Sequence, residues 1–285
     1  MKALLLSAGF GKRLRPLTYK KPKPLVPIVN VPILERNISF LKKQGIKELL
    51  INTHYLHKQI EEFLKSKSFQ LRVSTIFEPD LLGTGGAIKN AGFFWDNDPF
   101  VVMNADIITN INLKEVYKWH VKENALVTIV LHRYHKHKKI ILDKKSEIIH
   151  IARDELKDGL AFTGIHIISP DLLKYMPNGA FDIIEFYREL IKKGLSIKGY
   201  VADDCYWRDI GTLKDYIHAN RDLLGKSTFV IGEGSFVHPK AHFSNWAIIG
   251  KGCVIEEGTF VSGSVIWDNV IVKRGTSVLN SVLIE

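Results

Sequence analysis

Runs of Val, Ile and Leu alternate with amphipathic segments along the first half of the chain. The apolar runs are continuous, which is typical of strands buried on both faces of a parallel sheet. They cover 3–6, 48–54, 71–78 and 99–106. Between them, the helical spacing of apolar residues predicts helices over 33–44, 58–66 and 84–94. This alternation predicts an α/β fold with a Rossmann-like, doubly wound, mostly parallel sheet that binds ligands at the carboxyl ends of its strands.

After residue 125 the alternation loosens, and apolar stretches follow one another at 127–132, 162–168 and 196–202. We expect these stretches to form extra strands, in part antiparallel, laid against the main sheet. A loop rich in His and Lys, HRYHKHKK, follows the first of them. Its three histidines, at 132, 135 and 137, are predicted to belong to a solvated basic loop and not to a metal site.

Apolar residues recur every six positions near the end of the chain, at 231, 237, 243, 249, 255 and 261. Glycine follows the first and the fourth of them. A six-residue period is typical of a left-handed parallel β-helix, in which about 18 residues make one triangular coil. We therefore expect two domains, an α/β domain at 1–225 and a β-helix at 226–285.

The net charge of +10 lies entirely in residues 1–225, because five Lys/Arg and five Asp/Glu cancel between Lys226 and Glu285. A basic domain favours anionic partners, and without aromatic–basic interleaving we expect phosphorylated metabolites and no nucleic acid. No apolar run approaches the ~18 residues that span a bilayer, and the start does not resemble a signal peptide. The two cysteines lack CxxC spacing. We expect a cytoplasmic protein that binds no membrane.

The stretch GFGKRLRPLT follows the first predicted strand directly. Gly9 and Gly11 lack a Cβ, so their backbone amides can turn toward a bound phosphate. Arg13 can bind phosphate oxygens in bidentate fashion, and Lys23 lies between two prolines that stiffen its loop. The glycines alone favour a plain tight turn, since the spacing is neither a P-loop nor a complete GxGxxG motif. The added arginines and lysine favour a phosphate site.

SAGFGKRLRPLTYKKPKPLVPI resembles the signature of the sugar-1-phosphate nucleotidyltransferases, also called NDP-sugar pyrophosphorylases. FEPDLLGTGGAI is similar to the second nucleotide loop of that family, VVMNAD to its metal-binding strand end, FTGIHI to a sugar-pocket strand and WRDIGTLKDYIHAN to its closing motif. The chain looks most like mannose-1-phosphate guanylyltransferases and related bacterial enzymes. A hexapeptide tail is common among such enzymes.

The resemblance implies a role for each matching residue. It implies that Arg13 and Lys23 are catalytic and that Asp106 and Asp209 hold Mg²⁺. The implied nucleotide-binding residues are Ala8, Gly9, Gly11, Arg13, Glu78, Gly83, Thr84 and Gly85, and the implied sugar-binding residues are Thr163 and Gly164. The sugar-phosphate pocket is less defined, because the segment IIHIARDELKDGLAFTG contains no match to the V-E-K-P-like motif of many members.

Simpler roles compete with some of these assignments. A strand-end residue such as Asp106 often caps the next turn, and GTGGAI is also consistent with a glycine-rich entry into a helix. Asp209 precedes a predicted helix, but Thr212 with Asp215 resembles a capping box and would serve that helix instead. Asp209 is then available for another role.

The reaction implied by the resemblance joins an NTP and a sugar 1-phosphate to give an NDP-sugar and pyrophosphate. The sequence favours GTP with a mannose-like sugar 1-phosphate. Alternatives are a UTP-dependent enzyme for an amino-sugar 1-phosphate and a non-catalytic regulatory subunit that binds an NDP-sugar. The tail predicts a homo-oligomer or a contact with the catalytic domain, because repeat coils need a partner at an exposed end.

Overall fold

The computed structural model describes residues 1–284; Glu285, the last residue of the predicted β-helix, lies outside them. Over the described residues the helices are α1 (Ile33–Lys43), α2 (His57–Lys65), α3 (Gly83–Asn90), α4 (Leu113–Lys122), α5 (Ile183–Lys192) and α6 (Leu213–Leu223). Short 3₁₀ helices cover Lys12–Leu14, Lys23–Leu25, Ala91–Phe94 and Pro170–Lys174. No helix among residues 1–284 has the length and apolar character that crossing a membrane requires.

The strands before helix α6 are β1 (Lys2–Leu6), β2 (Pro27–Ile28), β3 (Val31–Pro32), β4 (Glu48–Thr53), β5 (Arg72–Phe77), β6 (Phe100–Asn104), β7 (Ile107–Thr109), β8 (Val127–His132), β9 (Lys138–Leu142), β10 (Ile148–Ile151), β11 (Leu160–Ile168), β12 (Lys198–Val201) and β13 (Trp207–Asp209). The strands that follow are β14 (Phe229–Ile231), β15 (Phe236–Val237), β16 (His242–Ile249), β17 (Val254–Ile255), β18 (Phe260–Ile266), β19 (Ile271–Val272), β20 (Ser277–Leu279) and β21 (Val282–Leu283).

The chain divides into two compact units. Unit 1 contains Met1–Phe10 and Asn37–Asp209, and unit 2 contains Gly11–Arg36 and the chain from Ile210 onward. The stretch 11–36 and helix α6 therefore cluster with the C-terminal repeats, although both precede residue 225. The division into functional domains at residue 225 stays a prediction.

Unit 1 is built on a nine-stranded sheet, whose central path runs β10-β9-β11-β6-β1-β4-β5. Strands β1, β4, β5 and β6 are parallel to one another. Strand β11 runs antiparallel to β6, and β8 and β9 pair antiparallel with β11. The predicted α/β fold with a mostly parallel centre is confirmed, and so are the added antiparallel strands. The inner strands are buried on both faces, and Leu4, Leu5 and Val102 are completely buried. The expectation of burial on both faces is wrong for β5, which lies at the edge of the sheet and is largely exposed.

Unit 2 contains a short parallel β-helix. Phe236 pairs with Val254, and Val254 pairs with Ile271, so successive coils differ by 18 and then 17 residues. The missing residue explains why the six-residue pattern appears to stop at Val261. The apolar residues that point inward resume one position early, at 266, 272 and 278, where all are almost completely buried. The hexapeptide prediction is confirmed except at the first coil, where Ile231 is 51% exposed.

Candidate active site

Two aspartates flank one end of a small antiparallel ribbon in unit 1. Asp106 follows the end of β6 and directly precedes β7, and β7 pairs with β13 so that Asp209 lies opposite Ile107. Both aspartates are partly buried and have further polar contacts. The capping box predicted for α6 is confirmed, because the Thr212 side chain accepts a hydrogen bond from Asp215 N. Asp209 therefore does not cap that helix.

The donor set of this ribbon suits a hard divalent cation. Mg²⁺ typically binds one or two protein carboxylates and fills its other positions with phosphate oxygens and water. Asp106 and Asp209 provide two carboxylates one residue apart in register. Within residues 1–284 no group of three or more His, Cys, Asp or Glu forms a possible metal cage. A two-carboxylate site that is completed by a bound phosphate matches this arrangement.

The predicted sugar strand lies beside the end of β6. Gly164 has a positive φ of 79°, and a Cβ there would come within 2.8 Å of Asn104 Nδ2. Thr163 is fully buried, and its hydroxyl donates to the Val130 carbonyl at 2.8 Å. Trp207, two residues before Asp209, donates its indole N–H to the Thr163 carbonyl at 2.7 Å. Unit 1 thus brings the predicted sugar strand next to the ribbon, and the side chain of Thr163 contributes to packing.

A buried polar network connects the ends of β1, β4 and β5 in unit 1. Ser7 N donates to Asn52 Oδ1 at 2.6 Å, and Asn52 Nδ2 donates to Glu78 Oε1 at 2.8 Å. Leu82 N donates to Glu78 Oε2 at 3.3 Å. Glu78 is only 1% exposed. Through Asn52, Glu78 therefore joins the turn after β1 to the loop before α3. The sequence analysis did not identify Asn52, because its only signal is its place in the carboxyl half of a predicted strand.

The turn after β1 leaves room for a ligand. Ala8 is buried, whereas Gly9 is exposed and a Cβ built on it would meet no atom within 4 Å. Packing within the protein therefore does not require glycine at this position. This openness is what a backbone that approaches a nucleotide needs.

The glycines in the first turn of α3 pack against the segment that leads into α5. A Cβ on Gly85 would come within 2.1 Å of the Phe181 ring, and Gly85 N donates to the Phe181 carbonyl at 3.0 Å. Gly83 has a φ of 69° and approaches the same carbonyl. The Thr84 hydroxyl accepts from Ile183 N at 2.9 Å. Packing thus accounts for glycine at 85, and the predicted nucleotide contacts of this loop remain predictions.

The remaining predicted site residues belong to unit 2. Gly11 has a φ of 64°, and a Cβ there would come within 3.0 Å of Thr18 and 3.2 Å of Lys23 Cβ. The Thr18 hydroxyl donates to the Gly11 carbonyl at 2.9 Å. Arg13 is exposed in its 3₁₀ turn, and Lys23, partly buried, begins another after Pro22. Glycine is required at 11 because the chain folds back onto Lys23 there.

Several histidines of unit 1 are buried or hydrogen-bonded within the protein. His132 is not part of the solvated loop as predicted, because it ends β8, is partly buried and has its Nε2 3.3 Å from the Cys205 carbonyl. His137 lies beyond the strand, and its backbone N donates to Glu155. Burial lowers the pKa of His166 to about 3 and that of His120 to about 4. Both are therefore neutral near pH 7. His166 accepts from or donates to Tyr187 Oη at 2.9 Å.

Comparison with known proteins identifies two family matches. The nucleotidyl transferase family model matches residues 2–226, and the bacterial transferase hexapeptide model matches residues 230–263. A solved structure of HddC from Yersinia pseudotuberculosis superposes with a TM-score of 0.69 at 25% identity, over 78% of this chain and 99% of that chain.

Three curated relatives differ in the nucleotide that their names indicate. A mannose-1-phosphate guanylyltransferase from Mycobacterium tuberculosis is 29% identical over 96% of this chain and 81% of its own length. A UTP–glucose-1-phosphate uridylyltransferase from Synechocystis is 28% identical over 100% of this chain and 83% of its own. A D-glycero-α-D-manno-heptose 1-phosphate guanylyltransferase from Campylobacter jejuni is 31% identical over 76% of this chain and 98% of its own.

Members of this family generally use a divalent metal ion, and their substrates are an NTP and a sugar phosphate. The strand-end carboxylates and the glycine turn of this chain lie in the region that the family model matches. The chain belongs to the nucleotidyl transferase family and is a sugar-1-phosphate nucleotidyltransferase with a hexapeptide-repeat tail.

Proposed function

We propose that this enzyme transfers GMP from GTP to a manno-configured sugar 1-phosphate, releases pyrophosphate and uses Mg²⁺ held by Asp106 and Asp209. The observation that carries the proposal is the antiparallel pairing of β7 with β13, which sets Asp209 opposite the residue that follows Asp106. A pair of carboxylates at this spacing fits a cation shared with a triphosphate. When bound, Mg²⁺ would neutralise negative charge on the phosphate oxygens.

The chemistry requires alignment and charge neutralisation. An ionised oxygen of the sugar phosphate attacks the α-phosphorus of GTP and forms a new P–O bond. The bond from that phosphorus to the oxygen that bridges to the β-phosphate breaks, and its electron pair leaves with pyrophosphate. A phosphate monoester is largely ionised at pH 7, so the chain needs no general base. Catalysis then comes from positioning and electrostatics.

Two cationic side chains of unit 2 supply the electrostatic part of the proposal. Arg13 would stabilise the departing pyrophosphate, because its planar guanidinium binds two phosphate oxygens at once. Lys23 would contact the phosphates on the attacking side. Its 3₁₀ turn and flanking prolines restrict the loop that carries it, so less ordering entropy is lost when it binds. The remaining proposed nucleotide contacts are Ala8, Gly9, Gly11, Gly83, Thr84, Gly85 and Glu78, with Thr163 and Gly164 near the sugar.

The choice of GTP and a manno sugar rests on two relatives. Both named guanylyltransferases act on manno-configured sugar 1-phosphates, and one of them is 31% identical to this chain. A UTP-dependent reaction is the second candidate, because the uridylyltransferase relative is 28% identical over the whole chain. Homo-oligomer formation through the tail and a cytoplasmic location stay predictions.

Pyrophosphate release tests the proposal directly. ATP, GTP, CTP, UTP and dTTP would each be combined with the 1-phosphates of mannose, manno-heptose, glucose and N-acetylglucosamine, with Mg²⁺ and with a chelator. We expect release with GTP and a manno sugar and none with the chelator. A signal confined to UTP would replace the proposed nucleotide. Silence across all pairs, with an NDP-sugar still binding by calorimetry, would indicate the regulatory subunit.

A further inference from the structure

The segment that carries Arg13 and Lys23, which we call the signature segment (Gly11–Arg36), has little regular structure. It contains two 3₁₀ turns, the hairpin of β2 with β3 and the first turn of α1. A two-stranded hairpin is marginally stable by itself. The position of this segment in unit 2 therefore depends on other contacts as well, which include its buried apolar side chains and hydrogen bonds from helix α6 and the β-helix.

A chain of two hydrogen bonds runs from the β-helix to the signature segment. The indole N–H of Trp267, the residue after β18, donates to Tyr216 Oη at 2.9 Å. The Tyr216 hydroxyl donates to the Pro27 carbonyl at 2.8 Å. Tyr216 is completely buried and Trp267 is 8% exposed. Buried bonds of this kind exclude water and fix the distance between the elements that they join.

Two asparagines form further hydrogen bonds that anchor the signature segment next to Pro27. Val29 N donates to Asn220 Oδ1 at 2.8 Å, and Asn220 lies on the same helix as Tyr216. Asn30 Nδ2 donates to the Ile249 carbonyl of the β-helix at 2.7 Å. Val29 and Asn30 both have positive φ, of 47° and 58°, so the hairpin turn presents these groups in a constrained conformation.

Packing is interrupted elsewhere between the signature segment and the tail. A cavity of about 420 Å³ separates Pro16–Lys21 from Trp267 and residues 282–284. Lys21 Nζ lies 5.7 Å from the centre of the Trp267 ring across this region. Elsewhere the segment buries apolar side chains, among them Leu14 and Ile28, and the hydrogen bonds at Pro27 to Asn30 add directional contacts to that packing.

Only a short, hydrogen-bonded stretch of backbone separates Pro27 from Lys23. Val26 N donates to the Lys23 carbonyl at 3.1 Å, and Leu25 N donates to the Pro22 carbonyl at 2.9 Å. Val26 is completely buried, and Lys23 packs against Gly11. A shift at Pro27 is therefore passed to Lys23 with little local relaxation.

We propose that Tyr216 and Trp267 are positioning residues for the transfer reaction, which makes the β-helix tail the support of the signature segment. The inference rests on the proposed function of Lys23. The Tyr216 hydroxyl fixes the position of the Pro27 carbonyl through its hydrogen bond. The Trp267 indole orients the Tyr216 hydroxyl so that it points at that carbonyl. Burial raises the pKa of Tyr216, so the hydroxyl keeps its proton throughout the neutral range.

The decisive variants are Tyr216→Phe and Trp267→Phe in the full chain, with Tyr187→Phe as the matched control. Tyr187 is also completely buried, and its hydroxyl forms one hydrogen bond, to His166 in the core of unit 1. Each variant would be characterised by its melting temperature and by kcat and KM for both substrates. Hydrogen exchange of the amides of residues 11–30 would be followed by mass spectrometry.

We expect Tyr216→Phe to lower kcat about 10-fold with a smaller change in KM, because the lost bonds misplace a transition-state contact. Trp267→Phe should have a smaller effect of the same kind, since it removes one bond of the chain. Tyr187→Phe should melt earlier at unchanged kcat. Exchange over 11–30 should accelerate in the Tyr216 and Trp267 variants and not in the control.

Wild-type kcat in Tyr216→Phe, at a melting temperature lowered as much as in the control, would overturn the inference. Equal exchange rates over 11–30 in all three variants would overturn it as well. If the wild-type enzyme transferred no nucleotide to any sugar phosphate, the proposed function would fail, whereas the exchange comparison would still decide whether Tyr216 and Trp267 hold the segment.

Discussion

Unit 1 carries its candidate site residues at the ends of strands, whereas unit 2 carries Arg13 and Lys23 in a segment of turns. In unit 1 the strands before Ser7 and Asp106 are parallel neighbours with completely buried apolar side chains. In unit 2 the signature segment also buries apolar side chains, such as Leu14 and Ile28, and adds side-chain hydrogen bonds from α6 and from the β-helix. A continuous strand ladder supports the first set, whereas turns and single side-chain hydrogen bonds support the second.

This difference predicts how each unit responds to substitution. A strand end in a packed sheet tolerates the loss of one polar contact, because dispersion and ladder hydrogen bonds still hold the backbone. A loop that is anchored by single bonds shifts when one of them is lost. We therefore expect indirect effects on catalysis to be concentrated in unit 2 and effects on stability in unit 1.

The largest effect is expected where a charged group meets substrate. Asp106→Asn in unit 1 and Arg13→Ala in unit 2 should each lower kcat by ~10²–10³, the usual loss on removal of one preorganised electrostatic contact. Steady-state pyrophosphate release measures both. Asp171→Asn and Arg72→Ala, at exposed ion pairs, are matched controls that should keep wild-type rates. A wild-type rate in either test variant would remove that residue from the proposed mechanism.

The next effect tests the buried network of unit 1. Asn52→Asp keeps an acceptor for Ser7 N but sets a second carboxylate 2.8 Å from Glu78 Oε1. We expect it to lower the free energy of unfolding by about 3 kcal/mol, as is typical when a buried charge lacks a counter-charge. Adding Glu78→Gln restores a donor–acceptor pair and should recover most of that loss in urea denaturation.

The same variants separate two roles for Glu78. If Glu78 serves mainly to join the two loops, Glu78→Gln alone should keep the preference between nucleotides while altering stability. A changed ratio of kcat/KM for GTP and UTP in this single variant would instead indicate direct contact with the base. No recovery in the double variant would contradict the network as described.

The smallest effect per residue concerns acid sensitivity, which should appear in unit 1. Burial lowers the pKa of His120 to about 4 and that of His166 to about 3, against an ordinary value near 6.5. The unfolded chain therefore binds protons that the folded chain does not, and stability present above pH 6.5 is lost as the pH falls toward 4. At pH 5 each histidine should cost about 2 kcal/mol.

Urea denaturation at pH 7.5 and pH 5 measures this loss, and His166→Gln should remove about half of it. Hydrogen exchange should show the acid-induced opening in the strands of unit 1 before those of the β-helix. Equal stability of the wild-type protein at both pH values would contradict the assignment of neutral buried histidines.

The alternation of apolar runs and amphipathic segments was sufficient to predict the parallel strands of unit 1, because strands buried on both faces are continuously apolar. It did not predict β9 and β10, nor the exposure of the edge strand β5. The hexapeptide pattern was equally informative up to Val261. It failed beyond because the following coil has one residue fewer, and a six-residue window cannot follow such a change of register. Helix α3 was predicted as one element, whereas the structure ends it at Asn90 and continues with a 3₁₀ turn.

The candidate site also contains features that the sequence predicts and features that it does not. The signature, the strand-end Asp106 and the capping box at Thr212 could be found in the sequence, since each depends on local spacing. The packing of Gly85 on Phe181 could not, because nearly one hundred residues separate them. The buried position of Glu78 also depends on Asn52, which is distant in sequence.

The sequence by itself determined the family, the α/β and β-helix architecture and the residue types of the site, because periodicity and motif spacing are local properties. Only the tertiary structure decided which residues share a unit. It brought the signature segment together with Tyr216 and Trp267, and it set Asp209 beside the residue after Asp106. These relations depend on contacts between residues that are far apart along the chain, and no local pattern encodes them.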